Sequence, residues 1–446
     1  MKNNKKLSRR DALKVLGVGG GSFLVSSSAD ASTKLSQPAS HKQVKIVIAG
    51  GGTGGMIAAA RLRRSAPNAQ ITIIAPNKTH LYQPGQVFVA AGLYEQSDNE
   101  RETSELLEDK VEWLRERVIA FAPQKNSLTT DKSGEISYDY LIVALGVEYD
   151  YEAITGLSKE MIGKNGIASV YLNDTLNGTA KGGEITKAWF SEIKQHTTQK
   201  EKVKVLCTEP STPIKGIGTS LDILFLGNDM LKAQADFSFA KPDAALFPFD
   251  DFNRVLENEV KKQPNITPLY KHKLTAIDAE KKMATFRVGA DTKKIQYDFI
   301  HVVPPMQPVK VLKESDLAVK EGKYKGYLDV DAKTLQHKRY KNVFGVGDIL
   351  GIPLAKTGGS AQQQAIVIQD NVAAAIENKK LPMDYNGYTV APIKTQFGKV
   401  LLAEFNEKEA LPTFWLSPYK PRWIWWELDL HVMRSAYFSA MMRGMM

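Results

Sequence analysis

The sequence predicts an α/β fold built from two Rossmann-like domains. Three observations predict it. A glycine-rich strand–turn–helix begins at residue 44, two later segments repeat one another, and an apolar strand ends in Gly347-Asp348 ahead of a long helix.

Residues 44–60 read VKIVIAGGGTGGMIAAA. Residues 44–49 form a short, apolar, β-branched strand. Gly50, Gly52 and Gly55 then give the spacing G-x-G-x-x-G, with Thr53 and Gly54 between them and an Ala-rich helix directly after. At this spacing the first glycine makes a tight turn and the second lets the backbone approach a pyrophosphate. The third lets the helix pack on the strand, so that its N-terminus faces the anion. The alternative is a purely structural glycine turn. Residues 71–74 form the second strand, and an acid is expected about 20 residues past the glycines to hold a ribose hydroxyl. Ala75 and Pro76 stand there instead, and Asn77 is the candidate substitute.

The repeat lies further on. Val118-x-x-Phe121-x-x-x-Lys125 leads to Leu128 and then Tyr138-Asp139-Tyr140-Leu141-Ile142-Val143. Leu274-x-x-Ile277-x-x-x-Lys281 leads to Met283 and then Tyr297-Asp298-Phe299-Ile300-His301-Val302. Each copy reads as a hairpin followed by a buried strand. The second copy starts with a strand at 203–206 that runs into Cys207-Thr-Glu-Pro-Ser-Thr-Pro, ahead of a helix-like stretch at 221–231. Two prolines and a glutamate replace the glycines, so one nucleotide cofactor is expected and no second dinucleotide. After Gly347-Asp348 come Lys356-Thr357-Gly358 and a helix over about residues 360–377. Asp348 could hold a polyol chain, with the helix N-terminus facing an anion, or simply cap the helix.

These segments divide the chain into a first domain at 44–155 completed by 320–380, a second at 156–319 without a nucleotide fingerprint, and a C-terminal region at 381–446. Residues 1–31 carry Ser8-Arg9-Arg10 ahead of a Gly-rich, mildly apolar run and Ala29-Asp30-Ala31, the pattern of a twin-arginine export signal. Residues 32–43 form a polar linker. A disordered basic tail is the alternative. The formal net charge is +10, and six basic and two acidic residues within 1–31 account for +4 of it. No Lys/Arg block with interleaved aromatics suggests nucleic acid. Cys207 is the single cysteine, which excludes an intramolecular disulfide and a thiolate metal cluster, and the seven histidines are scattered, so no metal is expected.

The last 34 residues change character. Phe414, Trp415, Tyr419, Trp423, Trp425, Trp426, Tyr437 and Phe438 crowd together with five methionines, and Arg422, Arg434 and Arg443 are interspersed. The pattern reads as one or two amphipathic helices lying in a membrane interface through 413–446. A helical core or an oligomer interface is the alternative. As an interfacial appendage, this segment is expected to be removable without loss of the cofactor.

With these pieces assembled, the chain resembles the sulfide:quinone oxidoreductases, flavoproteins of the pyridine nucleotide–disulfide oxidoreductase superfamily. The likeness covers residues 44–446. It is carried by Gly50 to Gly55, His80-Leu-Tyr82-Gln83-Pro84, Tyr138-Asp-Tyr-Leu-Ile-Val-Ala-Leu-Gly146 and Val302-Val-Pro304-Pro305-Met306. Further on it rests on Thr334-Leu-Gln-His337, Asn342-Val-Phe-Gly-Val-Gly347-Asp348, Tyr385-Asn-Gly-Tyr388-Thr389 and Leu401-Leu-Ala-Glu404-Phe405. The resemblance implies FAD, bound by Gly50, Gly52, Thr53, Gly54, Gly55, Asn77, Gln83, Gly146, Gly347, Asp348, Lys356 and Thr357. It implies Lys356 as the group that stabilises charge on the reduced flavin, and quinone as the electron acceptor. A periplasmic cytochrome c as acceptor, or an FAD-binding protein without turnover, remains an alternative. The expected location is the periplasmic face of the inner membrane, with a homo-oligomer possible.

One departure stands out. The family's two redox cysteines fall, by this alignment, at Gly216, after Pro210-Ser-Thr-Pro213-Ile-Lys215, and at Ala391, in Tyr388-Thr-Val-Ala391-Pro392. Cys207 lies nine residues before the first of these, in a strand, where it reads as a packing residue.

Overall fold

The computed structural model describes residues 41–174, 179–198, 202–232, 234–353, 355–413 and 416–446. The segment expected to be an export signal, most of the expected linker, and Phe414 and Trp415 lie outside the described residues. Strand β1 (Lys45–Ala49) passes through the glycine turn into helix α1 (Thr53–Ser65). Strands β2 (Gln70–Ile74), β3 (Val111–Leu114) and β4 (Tyr140–Val143) follow. A second series runs β5 (Ile167–Ala168), α2 (Gly182–His196), β6 (Val203–Thr208), α3 (Thr219–Leu231), β7 (Ala235–Ala240), α4 (Asp250–Lys261), β8 (Ile266–Leu269) and β9 (Phe299–Val302). The chain then supplies β10 (Val343–Gly345) and α5 (Gly358–Ile376), followed by an antiparallel hairpin, β11 (Thr389–Gln396) and β12 (Lys399–Phe405).

Two five-stranded parallel sheets result, in the orders β10-β4-β1-β2-β3 and β5-β9-β6-β7-β8. The last four strands of each, β4-β1-β2-β3 and β9-β6-β7-β8, follow the same order. Both faces of each sheet are covered, one by helices and the other by a layer of antiparallel strands, so the parallel strands carry buried apolar residues on both sides. The outer edge differs, since β10 comes from later in the chain and β5 from earlier.

The repeat holds down to single hydrogen bonds. Each copy is a three-stranded antiparallel meander, 118–137 in the first and 273–296 in the second. A bulge sits between Val118 and Ala120 in one and between Leu274 and Ala276 in the other. The first turn places Asn126 and Lys282 at φ 51° and 50°. Asp139 then accepts from the Lys45 backbone N–H at 2.6 Å, and Asp298 from that of Lys204 at 2.8 Å. Each Tyr-Asp pair therefore buries its tyrosine and ties the start of the sheet's first strand to the meander's exit. The third strands, Gly134–Ser137 and Asp291–Gln296, extend the hairpins read from sequence. They are short or mostly exposed and polar, so they carry no apolar alternation to read.

Candidate active site

The glycine turn has the geometry its sequence demands. Gly50 has φ +115°, and a Cβ there would lie 2.3 Å from the Ala144 carbonyl oxygen. A Cβ at Gly55 would lie 1.9 Å from the Gly50 oxygen, so helix α1 reaches the strand only without a side chain. Gly52 is exposed, and a Cβ there would meet nothing within 4 Å. The N-terminus of α1 has no side-chain cap and no acid in its first turn. Its partial positive charge thus faces open space beside the one glycine that leaves room for an anion. These residues fit a pyrophosphate.

Two further segments converge on this turn. Gly146 follows β4, has φ +70° and also faces open space. Gly347 and Asp348 follow β10, and a Cβ at Gly54 would touch Val346 at 3.3 Å. The ends of β1, β4 and β10 are adjacent, so the glycines, Gly146 and Asp348 line the carboxyl edge of one parallel sheet. Open α/β sheets bind ligands at that edge. Helix α5 packs against α1 and presents its N-terminus to the same edge. Thr357 caps it by accepting from the Ser360 N–H at 3.1 Å.

Lys356 is buried just before this cap. Its ammonium donates to the Asp348 carbonyl at 2.6 Å and the Leu350 carbonyl at 3.2 Å, and sits 4.7 Å from the Tyr327 ring centroid. Burial pushes its pKa down to about 8, against the raising influence of Asp348. Lys356 thus fixes the loop between Asp348 and α5. Asn77 uses its carbonyl to accept from Thr103 at 2.9 Å, and Gln83 stands exposed in a 3₁₀ turn. At the end of β2, Ala75 is buried, and a Cβ at Gly51 would come within 2.5 Å of its methyl.

The two positions aligned with the family's thiols both lie beside the start of α5. Gly216 donates its N–H to the Lys356 carbonyl at 2.8 Å. Ala391 is buried in β11, the strand whose Thr389 hydrogen-bonds Ser360 at 3.0 Å. Gly216 has φ +69°, and a Cβ there would meet the Thr219 hydroxyl at 2.7 Å. Cys207 is fully buried in β6 between β7 and β9, and burial pushes its thiol up to about 12. It packs, as read from the sequence, and carries no thiolate at neutral pH.

In the second sheet, the turn after β6 is filled by the protein itself. Glu209 pairs with the buried Lys241 at 2.9 Å and accepts from Ser220 in the first turn of α3. Asp222 occupies the same turn. An incoming phosphate would meet carboxylates there.

Local sequence patterns gave no sign of the C-terminal contribution. Residues 423–441 form a helix that alternates α segments (Trp423–Leu428, Arg434–Ala436) with π segments (Asp429–Met433, Tyr437–Met441). Trp425, Trp426, Tyr437, Phe438, Met441 and Met442 are buried in the protein, so much of the aromatic cluster is core. The first half packs into the core around the second sheet, with Trp426 edge-on to Phe88 at 5.9 Å. In the first π segment, Asp429 reaches Lys394 of β11 at 3.0 Å, and Lys394 also lies 3.4 Å from Asp222. All three are buried, two carboxylates against one ammonium. Burial pushes Asp222 up to about 7 despite Lys394. Burial works against the charge of Lys394, but the two carboxylates offset it and hold the ammonium at about 12. The second half lies over the glycine turn, where the Tyr437 hydroxyl is 2.7 Å from both Thr53 Oγ1 and His80 Nε2. These contacts join residues 384 and 357 positions apart, and periodicity gives no sign of them. No helix among the described residues is long and apolar enough to cross a membrane.

Comparison with known proteins agrees with this geometry. Residues 44–177 match the pyridine nucleotide-disulphide oxidoreductase family. The chain is 34% identical over 412 residues to the mitochondrial sulfide:quinone oxidoreductase of Dictyostelium discoideum, covering 90% of this chain and 86% of that protein. Among solved structures, it is similar to the sulfide:quinone oxidoreductase of Aquifex aeolicus, with a TM-score of 0.65 at 21% identity over 81% of this chain and 83% of that one. It is also similar in fold to a chain of the mitochondrial ATP synthase assembly of Tetrahymena thermophila, with a TM-score of 0.76 at 16% identity over 92% and 98% of the two chains. Extending over nearly the whole described fold, the likeness places the chain in the sulfide:quinone oxidoreductase family of FAD-dependent oxidoreductases.

Proposed function

We propose that this chain is an exported FAD-dependent reductase at the membrane surface, which passes electrons from a reduced donor to quinone without a thiol relay. One observation carries this reading. The anion cradle at the ends of β1, β4 and β10 is intact, while both positions aligned with the family's redox cysteines lack sulfur. When bound, FAD supplies two-electron acceptance from the donor and re-oxidation by the acceptor. Gly50, Gly52 and Gly55 would hold the pyrophosphate with Thr53 and Gly54 at the helix start, and Asp348 with Gly347 and Gly146 the polyol chain. Thr357 and the N-terminus of α5 would face the electron-rich end of the ring. Lys356 keeps that loop in place through two carbonyls. Asn77 and Gln83 are the remaining candidates for contacts at the margin of the site.

Sulfide oxidation through a cysteine pair resembles disulfide exchange and needs a thiolate beside the flavin. Neither Gly216 nor Ala391 offers one, so a donor must reduce the flavin directly. Sulfide and other small sulfur nucleophiles fit that requirement. A second reading, an FAD-binding protein without turnover, is favoured by Gly216 itself. Its left-handed backbone costs a side-chain-bearing residue roughly 1–2 kcal/mol, so the loop is shaped for glycine.

The test is a reductant screen on purified protein. Flavin bleaching by a sulfur nucleophile, with colour restored by a soluble quinone, supports the reductase. Flavin that no donor bleaches supports the second reading, and a cytochrome c that restores colour faster than quinone reassigns the acceptor. Export rests on Arg9 and Arg10. Changing both to Lys should leave precursor in the cytoplasm, and an unchanged periplasmic yield would refute that part.

A further inference from the structure

The C-terminal helix is in contact with the glycine turn itself. Thr53, the first residue of α1, meets the Tyr437 hydroxyl at 2.7 Å. His80, which is buried, meets the same hydroxyl at 2.7 Å. Tyr437 therefore reaches the turn directly at Thr53, while its hydroxyl is held from the other side by His80. Its ring packs 4.8 Å from Tyr82, in the segment that leads to Gln83. All three side chains around it are buried or partly buried, so these bonds are shielded from water.

The rest of the helix is latched at both ends. Upstream, Asp429 is held by Lys394. Downstream, Arg64 of α1 donates to the backbone carbonyls of Gly444, at 2.8 Å, and Arg443, and Arg61 donates to that of Met446. On the cofactor side, Met441 lies 3.9 Å from the position of a Cβ at Gly358, the first residue of α5. One helix thus touches the start of α1 and the start of α5, the two N-termini that face the cradle.

We propose that Tyr437 is a positioning residue of the dinucleotide site, through which docking of the C-terminal helix and retention of the cofactor become one coupled equilibrium. This rests on the FAD reading above. It replaces the expectation of a separable appendage: removing the helix should loosen FAD as well as any membrane contact. Coupling between two sites is reciprocal, so FAD must hold the helix down by the same factor as the helix holds FAD.

Two measurements test it on the full chain. The first compares parent and Tyr437→Phe for FAD dissociation, and for protease cleavage within 423–441 with and without FAD. The expected result is FAD binding weakened about tenfold in Tyr437→Phe, with FAD protecting the helix in the parent and losing most of that protection in the variant. A purely structural tyrosine would loosen the helix equally with and without FAD, and equal affinity and equal protection in both proteins would overturn the proposal. The second is a double-mutant cycle of Tyr437→Phe and Thr53→Val, read as helix cleavage in flavin-free protein. Non-additive loosening supports the tie between helix and turn, and additive loosening overturns it. A parent that takes up no FAD would contradict the functional reading, and the second cycle would still decide whether the tie exists.

Discussion

At the end of β1 the chain turns into its helix through Gly50–Gly52 alone, and a Cβ at Gly52 would meet nothing within 4 Å. At the end of β6 it takes residues 209–218 to reach α3, and Glu209 fills the corresponding space with a carboxylate bound to Ser220. The sheets behind these turns share strand order, meander, bulge and the aspartate that ties each first strand. The difference teaches that apolar strands and their return meanders determine the sheet, whereas the few residues of one turn determine whether it can hold an anion. A fold repeated twice therefore offers one cofactor site.

The comparison breaks most sharply at its glycines. Gly55→Ala pushes a methyl into the Gly50 carbonyl and should cut FAD affinity by more than about tenfold, because α1 must back away from the cradle. Gly218→Ala, at φ +102° and 2.9 Å from Ile393, should lower stability by roughly 1–2 kcal/mol and leave FAD affinity unchanged. Equal FAD loss in both would mean that the second turn also serves the cofactor. Next in size is Lys394→Met. It strands Asp222 and Asp429 in the interior and should cost about 3–5 kcal/mol in denaturant unfolding.

A pH series sharpens the same point. The folded-state pKa of Asp222 is raised to about 7, above an unfolded value of about 3.9. Its contribution to stability is thus fully present below about pH 4 and is lost as pH rises through 7. Asp222→Asn should flatten the fall in stability across that window, and an unchanged slope would assign the effect to another group. Cys207→Ser buries a hydroxyl in place of a thiol and should cost about 1–3 kcal/mol with no change in redox behaviour.

The strands at 44–49, 71–74 and 203–206 were legible because all but one residue in each is apolar and most are buried. The second meander was legible because it repeats the first. The exposed third strand Asp291–Gln296 was not, since DTKKIQ has no apolar face. At the site, Gly50 to Gly55, Gly146 and Gly347 stand out in sequence because backbone geometry demands glycine there. Tyr437, His80 and the Asp222–Lys394–Asp429 cluster were invisible. Each depends on where a late helix lands, and a buried tyrosine in an aromatic run looks the same whether it faces lipid or protein. Trp425, Trp426, Tyr437 and Phe438 of that run are buried in the fold, in line with the helical-core alternative, whereas Tyr419 is exposed.

The central claim is a flavin reductase that works without the family's thiols. Steady-state reduction of a soluble quinone by sulfide, in parent and Cys207→Ser, tests it most directly. Bound FAD in both, slow or absent sulfide turnover in both, and indistinguishable rates are expected. Fast turnover in the parent that Cys207→Ser abolishes would contradict it, since it would place the working thiol at Cys207 and show Gly216 and Ala391 to be the wrong positions.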